Sequence, residues 1–225
     1  DHFDVAFELE ATLAERGKDA ELTMLRAEAM EPGSIVTVRQ QVPLGLGHAI
    51  WCARAFIGDD PFAILLPDDL VLSDTPCLKQ LADVYRETGG NVVAVEEVPM
   101  EHVHRYGVLR TGETEGNRVE VLGLVEKPKR EVAPSNLSII GRYVLRPDVI
   151  QHLARMERGA GNEVQLTDAM AKMIGHAPFH GLKFSGRRFD CGDKAGYLGA
   201  QLAFGLARPD IGPALRDFLK AYLDG

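Results

Sequence analysis

Apolar residues in the first hundred positions form short strand-like runs, separated by stretches with helical spacing. Residues 62–67 (FAILLP) are nearly all apolar, and residues 34–40 (SIVTVRQ) and 91–98 (NVVAVEEV) are rich in β-branched residues, so we predict three strands. Residues 47–56 and 77–90 have the apolar spacing of helices, and the second segment ends in two glycines. This alternation predicts right-handed βαβ crossovers, with FAILLP as a central parallel strand.

The pattern changes from Tyr106 onward, where strand-like segments follow one another with few helices between them. These segments are YGVLRT, RVEVLGLVEKP and SIIGRYVLRP, and they predict an antiparallel or mixed extension of the sheet. Two helices at the end of the chain are predicted near 194–206 and 211–223. No repeat, low-complexity tract or linker interrupts the pattern. We therefore predict one α/β domain over residues 1–225, with a Rossmann-like mixed, mainly parallel sheet flanked by helices.

Composition and charge narrow the range of functions. Hydrophobic residues make up 45% and charged residues 26% of the 225 positions, as in ordinary globular proteins. The net charge of −8 argues against nucleic acid as a partner, since phosphate backbones attract basic surfaces. No apolar run approaches the roughly 20 residues of a membrane span. The cysteines, Cys52, Cys77 and Cys191, have no disulfide or zinc spacing, and no signal peptide opens the sequence, so we expect a cytoplasmic protein.

Two adjacent carboxylates, Asp68 and Asp69, follow the FAILLP strand directly. Ligands of open α/β sheets bind at the carboxyl ends of strands, and Mg²⁺ prefers one or two carboxylates plus substrate phosphates. The alternative is a tight turn, because aspartate favours turns through local hydrogen bonds. The position after a buried strand favours a binding site.

The segment VRQQVPLGLGHA joins a predicted strand to a predicted helix through a turn rich in proline and glycine. Free backbone N–H groups at such a turn can meet an acceptor, and Gly45 permits close approach. The spacing of Gly45 and Gly47 fits neither a dinucleotide fingerprint nor a P-loop, so an ordinary βα turn is the alternative. The amide of Gln40 offers both a donor and an acceptor, which suits the imide edge of a pyrimidine.

Two later segments bring further charged residues to predicted strand ends. In LVEKPKR, Glu126 can bind sugar hydroxyls and Lys127 can meet a phosphate, or the two can form a simple surface ion pair. In RRFDCGDK, Asp190 is a candidate second metal ligand, and Asp193 is a candidate helix N-cap. Glu163, in GNEVQLTDAM, lies in a helix-capping segment and could also face the site.

Taken together, these segments resemble a known family. VRQQVPLGLGHA, LLPDDL, RYGVL, GLVEKP, APSNLSIIGRYVL, GNEVQLTDAM and FDCGDKAGY follow one another in an order and at spacings similar to those of bacterial UTP–glucose-1-phosphate uridylyltransferases, which are sugar nucleotidyltransferases. The resemblance covers nearly the whole chain. It implies a Rossmann-like sheet, a Mg²⁺ cofactor, and conversion of UTP and glucose 1-phosphate to UDP-glucose and pyrophosphate.

The resemblance also implies roles for individual residues around the nucleotide. Gln40 and the backbone of Gly45 would hold uracil. Asp68 and Asp190 would bind Mg²⁺, and Asp69 would lie beside the nucleotide.

On the sugar side, the resemblance implies that Gly107, through its backbone, and Glu126 hold glucose hydroxyls. Lys127 would neutralise the sugar phosphate and act in catalysis. The resemblance further suggests a homodimer or homotetramer, with the last two helices as the subunit contact.

The sequence departs from the family pattern at its start. Family members begin with a strand and a glycine-rich loop containing Gly-Thr-Arg, followed by a lysine-bearing segment, and these elements bind the triphosphate. The sequence instead opens at Asp1, in what is predicted to be the middle of a helix, so we expect this stretch of chain alone to be inactive. Two alternatives stay open: a glucose-1-phosphate thymidylyltransferase, and a non-catalytic nucleotide-sugar-binding protein of the same fold.

Overall fold

The computed structural model describes residues 4–224, so the expectation of a helix running through Asp1 lies outside the described residues. The chain divides into two compact units, Asp1–Arg39 and Gln40–Gly225, and each is described by itself. The assignment of residues 1–225 to a single domain stays a prediction. No helix in residues 4–224 has the length and apolar character needed to cross a membrane.

Within residues 4–39, the first unit contains two short helices, α1 (Phe7–Glu15) and α2 (Asp19–Ala27). Gly17, between them, has a positive φ of 64°, a conformation that glycine adopts without steric cost. The side chain of Arg26 donates from Nε to Glu10 Oε2 at 2.8 Å and links the two helices.

The strand predicted for residues 34–40 is wrong, because the structure assigns no strand there. No strand in the described part of the chain pairs with this segment, so its backbone lacks the ladder of hydrogen bonds that defines a strand. Its apolar side chains are also open to solvent, with Ile35, Val36 and Val38 exposed by 41%, 53% and 38%. β-branched composition alone does not make a strand without a partner.

The second unit contains the sheets and their covering helices. Its helices are α3 (Leu46–Cys52), α4 (Arg54–Ile57), α5 (Cys77–Thr88), α6 (Val149–Leu153), α7 (Leu166–Ala171), α8 (Lys194–Ala207) and α9 (Gly212–Asp224). Its strands are β1 (Phe62–Leu65), β2 (Asp69–Leu72), β3 (Asn91–Glu97), β4 (Gly107–Glu115), β5 (Arg118–Glu126), β6 (Leu137–Leu145), β7 (Phe179–Lys183) and β8 (Arg187–Asp190). Short 3₁₀ helices lie at Met100–Arg105, Arg130–Val132 and Ala160–Asn162.

The main sheet is mixed and has the strand order β1-β6-β3-β7-β5-β4. The α/β class with a mixed sheet is therefore confirmed. Among the described strands, only β3 and β7 pair in parallel, so the sheet is less parallel than we predicted. The FAILLP strand, β1, lies at the edge and pairs antiparallel with β6, and Leu65 is 50% exposed. Its prediction as a central parallel strand is wrong, because a short apolar run does not reveal its neighbours.

Helix α5 illustrates how the predicted elements assemble. Its Leu81 is fully buried and packs with Val92 of β3 and Ile140 of β6. The burial of each such side chain contributes roughly 1.5–3 kcal/mol. The helix ends at Gly89, whose φ of 64° is the left-handed cap predicted from the glycine pair, and its N–H donates to Tyr85 O at 2.8 Å.

A separate two-stranded ribbon positions the predicted metal ligands. Strands β2 and β8 pair antiparallel, with Asp69 opposite Asp190. The N–H of Cys191 donates to the carbonyl of Asp68 at 2.7 Å and extends this pairing by one step. Two segments that are distant in sequence therefore bring their carboxylates to the same end of one ribbon.

Candidate functional site

A cavity of about 370 Å³ opens in the second unit at the end of the β2–β8 ribbon. Six of the eight residues proposed from the sequence line it, namely Asp68, Asp69, Gly107, Glu126, Lys127 and Asp190. Glu163, considered as either a cap or a site residue, also lines it. Strand ends from two sheets therefore converge on one space, as the sequence pattern indicates.

The carboxylates of Asp68 and Asp190 approach one another beside Gly192. An ideal Cβ on Gly192 would lie 3.0 Å from Asp190 Oδ1 and 3.5 Å from Asp68 Oδ2. The two oxygens are therefore at most 6.5 Å apart, which is the sum of those distances. Glycine at this position leaves the space between them free of a side chain.

This arrangement fits a hard divalent cation of the magnesium type. Mg²⁺ is usually bound by one or two carboxylates, with water and substrate phosphates completing its shell. Within residues 4–224, no group of three or more His, Cys, Asp and Glu side chains forms a fuller metal cage. The donor set offered by Asp68 and Asp190 therefore suits a cation that is shared with a phosphorylated substrate.

Asp69 lies in the same wall but is already occupied by protein groups. Its side chain is 9% exposed, and Oδ2 accepts a hydrogen bond from the N–H of Gly141 at 2.6 Å. Its Oδ1 accepts from Nε of Arg188 in a buried ion pair. Burial alone lowers the pKa of Arg188, but its hydrogen bonds to Tyr106 and Asp69 outweigh that effect and raise the pKa, so the guanidinium stays charged.

The opposite wall is formed by β4 and β5, where Gly107 pairs with Glu126. An ideal Cβ on Gly107 would lie 2.9 Å from Thr167 Oγ1 and 3.2 Å from Glu126 Oε2. The missing side chain therefore opens the cavity between a hydroxyl and a carboxylate, and both can bind sugar hydroxyls. The carboxyl side chain of Glu126 is 11% exposed, so its oxygens face the cavity rather than bulk water.

Lys127 directly follows β5 and has an unusual backbone conformation. Its φ is 47°, which non-glycine residues seldom adopt and which functional sites often contain. The backbone N–H of Lys127 donates to Tyr106 O at 2.9 Å, and its Nζ lies 3.7 Å from Glu126 Oε1. The lysine side chain is 45% exposed, so this ion pair adds little stability and the ammonium is available to a ligand.

Gln40 and Gly45 do not line the cavity, although they belong to the adjoining turn. The Gln40 amide donates from Nε2 to Gly45 O at 3.1 Å and lies 2.9 Å from His48 Nδ1. Gly45 has a φ of 102°, and a Cβ there would lie 2.7 Å from the Cβ of Glu163, a lining residue. The turn is thus packed against the cavity wall, and the uracil-binding roles of Gln40 and Gly45 stay predictions.

Several lining residues were missed by the sequence analysis. They are Arg105, Tyr143, Thr167, Gly141 and Arg188, among others. Arg188 could have been found from the sequence, because side chains two apart in a strand share a face and Arg188 precedes Asp190 by two positions.

Tyr143, another lining residue, stays neutral. Burial, together with the charges of Asp69 and Glu126, raises the pKa of its hydroxyl, which can therefore donate a hydrogen bond.

Comparison with known proteins places the chain in a family. The nucleotidyl transferase family model matches residues 10–204. The UTP–glucose-1-phosphate uridylyltransferase of Komagataeibacter xylinus is 58% identical over 194 residues, which cover 86% of this chain and 68% of that protein. The chain belongs to the UTP–glucose-1-phosphate uridylyltransferase family.

Solved structures of the uridylyltransferase family share this fold closely. The UTP-bound enzyme from Acinetobacter baumannii superposes with a TM-score of 0.87 at 38% identity, over 97% of this chain and 76% of that one. A UDP-glucose pyrophosphorylase complexed with UDP-glucose gives a TM-score of 0.81, also at 38% identity, over 92% of this chain and 76% of that one. The resemblance inferred from the motifs is confirmed.

Proposed function

We propose that this protein transfers the uridylyl group of UTP to glucose 1-phosphate, giving UDP-glucose and pyrophosphate. The observation that carries the proposal is the convergence of Asp68, Asp190, Glu126 and Lys127 on one cavity. Relatives at 44–58% identity carry the name of this activity, and solved family members bind UTP and UDP-glucose.

The reaction requires two negatively charged substrates to approach in line. The phosphate of glucose 1-phosphate attacks the α-phosphate of UTP, and pyrophosphate leaves. Little acid–base chemistry is needed, so positioning and charge neutralisation supply most of the rate. Lys127, Glu126 and Thr167 all line the cavity, which supports the proposal that Lys127 neutralises the sugar phosphate and that Glu126 with Thr167 orients the hexose through its hydroxyls.

We propose that Asp68 and Asp190 hold a Mg²⁺ ion in this site. When bound, that cation supplies positive charge against the nucleotide phosphates. The proposal is supported by the distance of at most 6.5 Å between their oxygens and by the open space at Gly192.

We propose that the protein self-associates through its last two helices. Phe218 stacks on Tyr222 with ring centroids 6.2 Å apart, yet both rings are exposed, by 63% and 75%. On α8, Tyr197 and Leu198 are exposed by 51% and 61%. Such apolar surface is usually covered in an assembly.

We also propose a cytoplasmic location, since the cysteines Cys52, Cys77 and Cys191 are all free thiols.

The choice of base separates the proposed function from a thymidylyltransferase. Uracil and thymine share the imide edge, so Gln40 cannot distinguish them. A pocket that only accommodates a methyl group discriminates by about 1–3 kcal/mol, whereas an unpaired buried polar group discriminates more strongly. We therefore expect UTP to be preferred over dTTP mainly through the ribose 2′-hydroxyl.

The test compares UTP, dUTP and dTTP with glucose 1-phosphate, using the full-length gene product. The proposal predicts that UTP gives the highest kcat/KM and that dUTP and dTTP are both poor. If dUTP has the same kcat/KM as UTP while dTTP gives no product, the 5-methyl group of the base determines the selectivity instead of the 2′-hydroxyl. If dTTP is the best substrate, the thymidylyltransferase assignment replaces the proposed one, and no turnover with any of the three favours the non-catalytic alternative.

A further inference from the structure

Arg188 lines the cavity next to Asp190, and the proposed reaction gives it no role. It belongs to β8, two residues before Asp190, so both side chains project from the same face of the ribbon. The Arg188 side chain is only 8% exposed, and an arginine is seldom buried to this extent unless it is paired.

The two oxygens of Asp190 face different groups. Oδ1 accepts the N–H of Gly192 at 3.1 Å and lies on the side of Asp68. Oδ2 lies 3.4 Å from Nη2 of Arg105 and 3.6 Å from Nη2 of Arg188. The carboxylate is therefore held from both sides, with one oxygen turned toward the candidate cation position and the other toward the arginines.

Of the two arginines, Arg188 is the more deeply buried. The Arg105 side chain is 45% exposed. The Arg188 guanidinium is fixed by the ion pair with Asp69, by Glu96 Oε2 at 3.7 Å and by the Tyr106 hydroxyl at 3.5 Å. These partners come from separate elements, so the fold restricts the positions that the arginine can take.

The contacts of Asp69 suit a role as the counter-ion of Arg188. Both of its oxygens already accept hydrogen bonds, one from Gly141 N–H and one from Arg188. Arg142 also donates through its guanidinium to the backbone carbonyls of Leu66 and Asp69 and fixes the loop that carries the aspartate. Asp69 therefore connects the β2–β8 ribbon to strand β6.

We propose that Arg188 is a positioning residue for the metal site, with Asp69 as its counter-ion. Arg188 holds the outer oxygen of Asp190, so that the inner oxygen meets a divalent cation between Asp68 and Asp190. This inference rests on the proposed magnesium site. It assigns Asp69 to the support of that site rather than to contact with the nucleotide.

The test measures Mn²⁺ binding by electron paramagnetic resonance, with Mn²⁺ as the probe and the full chain as the sample. The variants are Arg188→Met, Asp69→Asn and the double variant that carries both changes. Arg187→Met is the matched control, because Arg187 is the preceding residue of the strand, is exposed and lies outside the cavity lining. Asp190→Asn tests the metal site itself, and thermal unfolding of every variant reports folding.

We expect Asp190→Asn to abolish Mn²⁺ binding and Arg188→Met to weaken it by about 10–100-fold, as for other groups that orient a metal ligand. Arg187→Met should bind Mn²⁺ like the wild type. The double variant removes both buried charges, so its unfolding temperature should recover relative to Arg188→Met, while its Mn²⁺ affinity should stay low.

Two results would overturn the inference, and a third would overturn the site on which it rests. If folded Arg188→Met binds Mn²⁺ like the wild type, or if the double variant recovers affinity together with stability, Arg188 only balances the charge of Asp69. If Asp190→Asn still binds Mn²⁺ with unchanged affinity, the proposed metal site itself is wrong.

Discussion

Asp68 Oδ2 and Asp190 Oδ1 lie at most 6.5 Å apart, although a large part of the chain separates the two residues in sequence. The β2–β8 ribbon brings them together by pairing Asp69 with Asp190. This convergence was predicted from the position of each aspartate next to a strand. The geometry around it leads to the following predictions.

Replacing Gly192 with alanine should block the space between the two carboxylates. The new Cβ would lie 3.0 Å from Asp190 Oδ1, where a cation would otherwise approach. We expect the Mg²⁺ concentration for half-maximal rate to rise at least tenfold, with Mn²⁺ binding weakened to match. The free energy of unfolding should change by no more than about 0.5 kcal/mol, because the position is exposed.

Gly199→Ala is the matched control for this change. A Cβ on Gly199 would lie 4.0 Å from Phe189, an ordinary contact, so metal dependence should not change. Equal metal dependence in Gly192→Ala and Gly199→Ala would contradict the placement of the cation.

Glu126→Gln should weaken the use of glucose 1-phosphate more than the binding of UTP. The carboxylate is nearly buried in the sugar wall of the cavity, and hydrogen bonds to a charged group are worth about 1.5–3 kcal/mol. We expect the KM for glucose 1-phosphate to rise by roughly 10–100-fold, while the Kd for UTP, measured calorimetrically, changes little. Equal losses for both substrates would point to a structural role.

Lys127→Ala should mainly lower kcat. The exposed ammonium is free to stay close to the sugar phosphate as the transition state forms, and charge neutralisation contributes most to the rate at that point. We expect a fall of about 10²–10³-fold in kcat, with a smaller change in either KM. Lys129→Ala is the control, because Lys129 is exposed two residues away and does not line the cavity. A change confined to KM would mean that Lys127 only binds the ground state.

The apolar strip on α9 should be required for self-association. The double variant Phe218→Asp, Tyr222→Asp replaces the two stacked, exposed rings with carboxylates. Burying unpaired charges in an interface is strongly unfavourable. Light scattering should show the wild type with at least twice the mass of one chain, and the double variant as a monomer. Lys220→Asp, on the same helix, should leave the mass unchanged, and a monomeric wild type would reject the proposal.

Much of the site could be predicted from sequence because its residues stand at strand ends with local signals. Asp68, Gly107, Glu126 and Asp190 are examples. The sheet was harder to predict, because FAILLP is an edge strand and residues 34–40 form none. Pairing depends on neighbours that the local apolar pattern does not specify.

Arg188 shows the same limit within the site. Its partners Asp69, Glu96 and Tyr106 come from separate segments, so only the folded chain brings them to one guanidinium. The resemblance to the family implied that Asp69, the neighbour of Asp68 in sequence, lies beside the nucleotide. The structure shows its oxygens already bound by Gly141 and Arg188, a relation that adjacency in sequence does not reveal.

The measurement that tests the central claim most directly is product formation from UTP and glucose 1-phosphate by the full-length protein and its Asp190→Asn variant. UDP-glucose and pyrophosphate are quantified together. We predict that the wild type forms the two products in equal amounts, and that a folded Asp190→Asn variant is slower by at least about a hundredfold. Failure of the wild type to form UDP-glucose, or full activity in Asp190→Asn, would contradict the account.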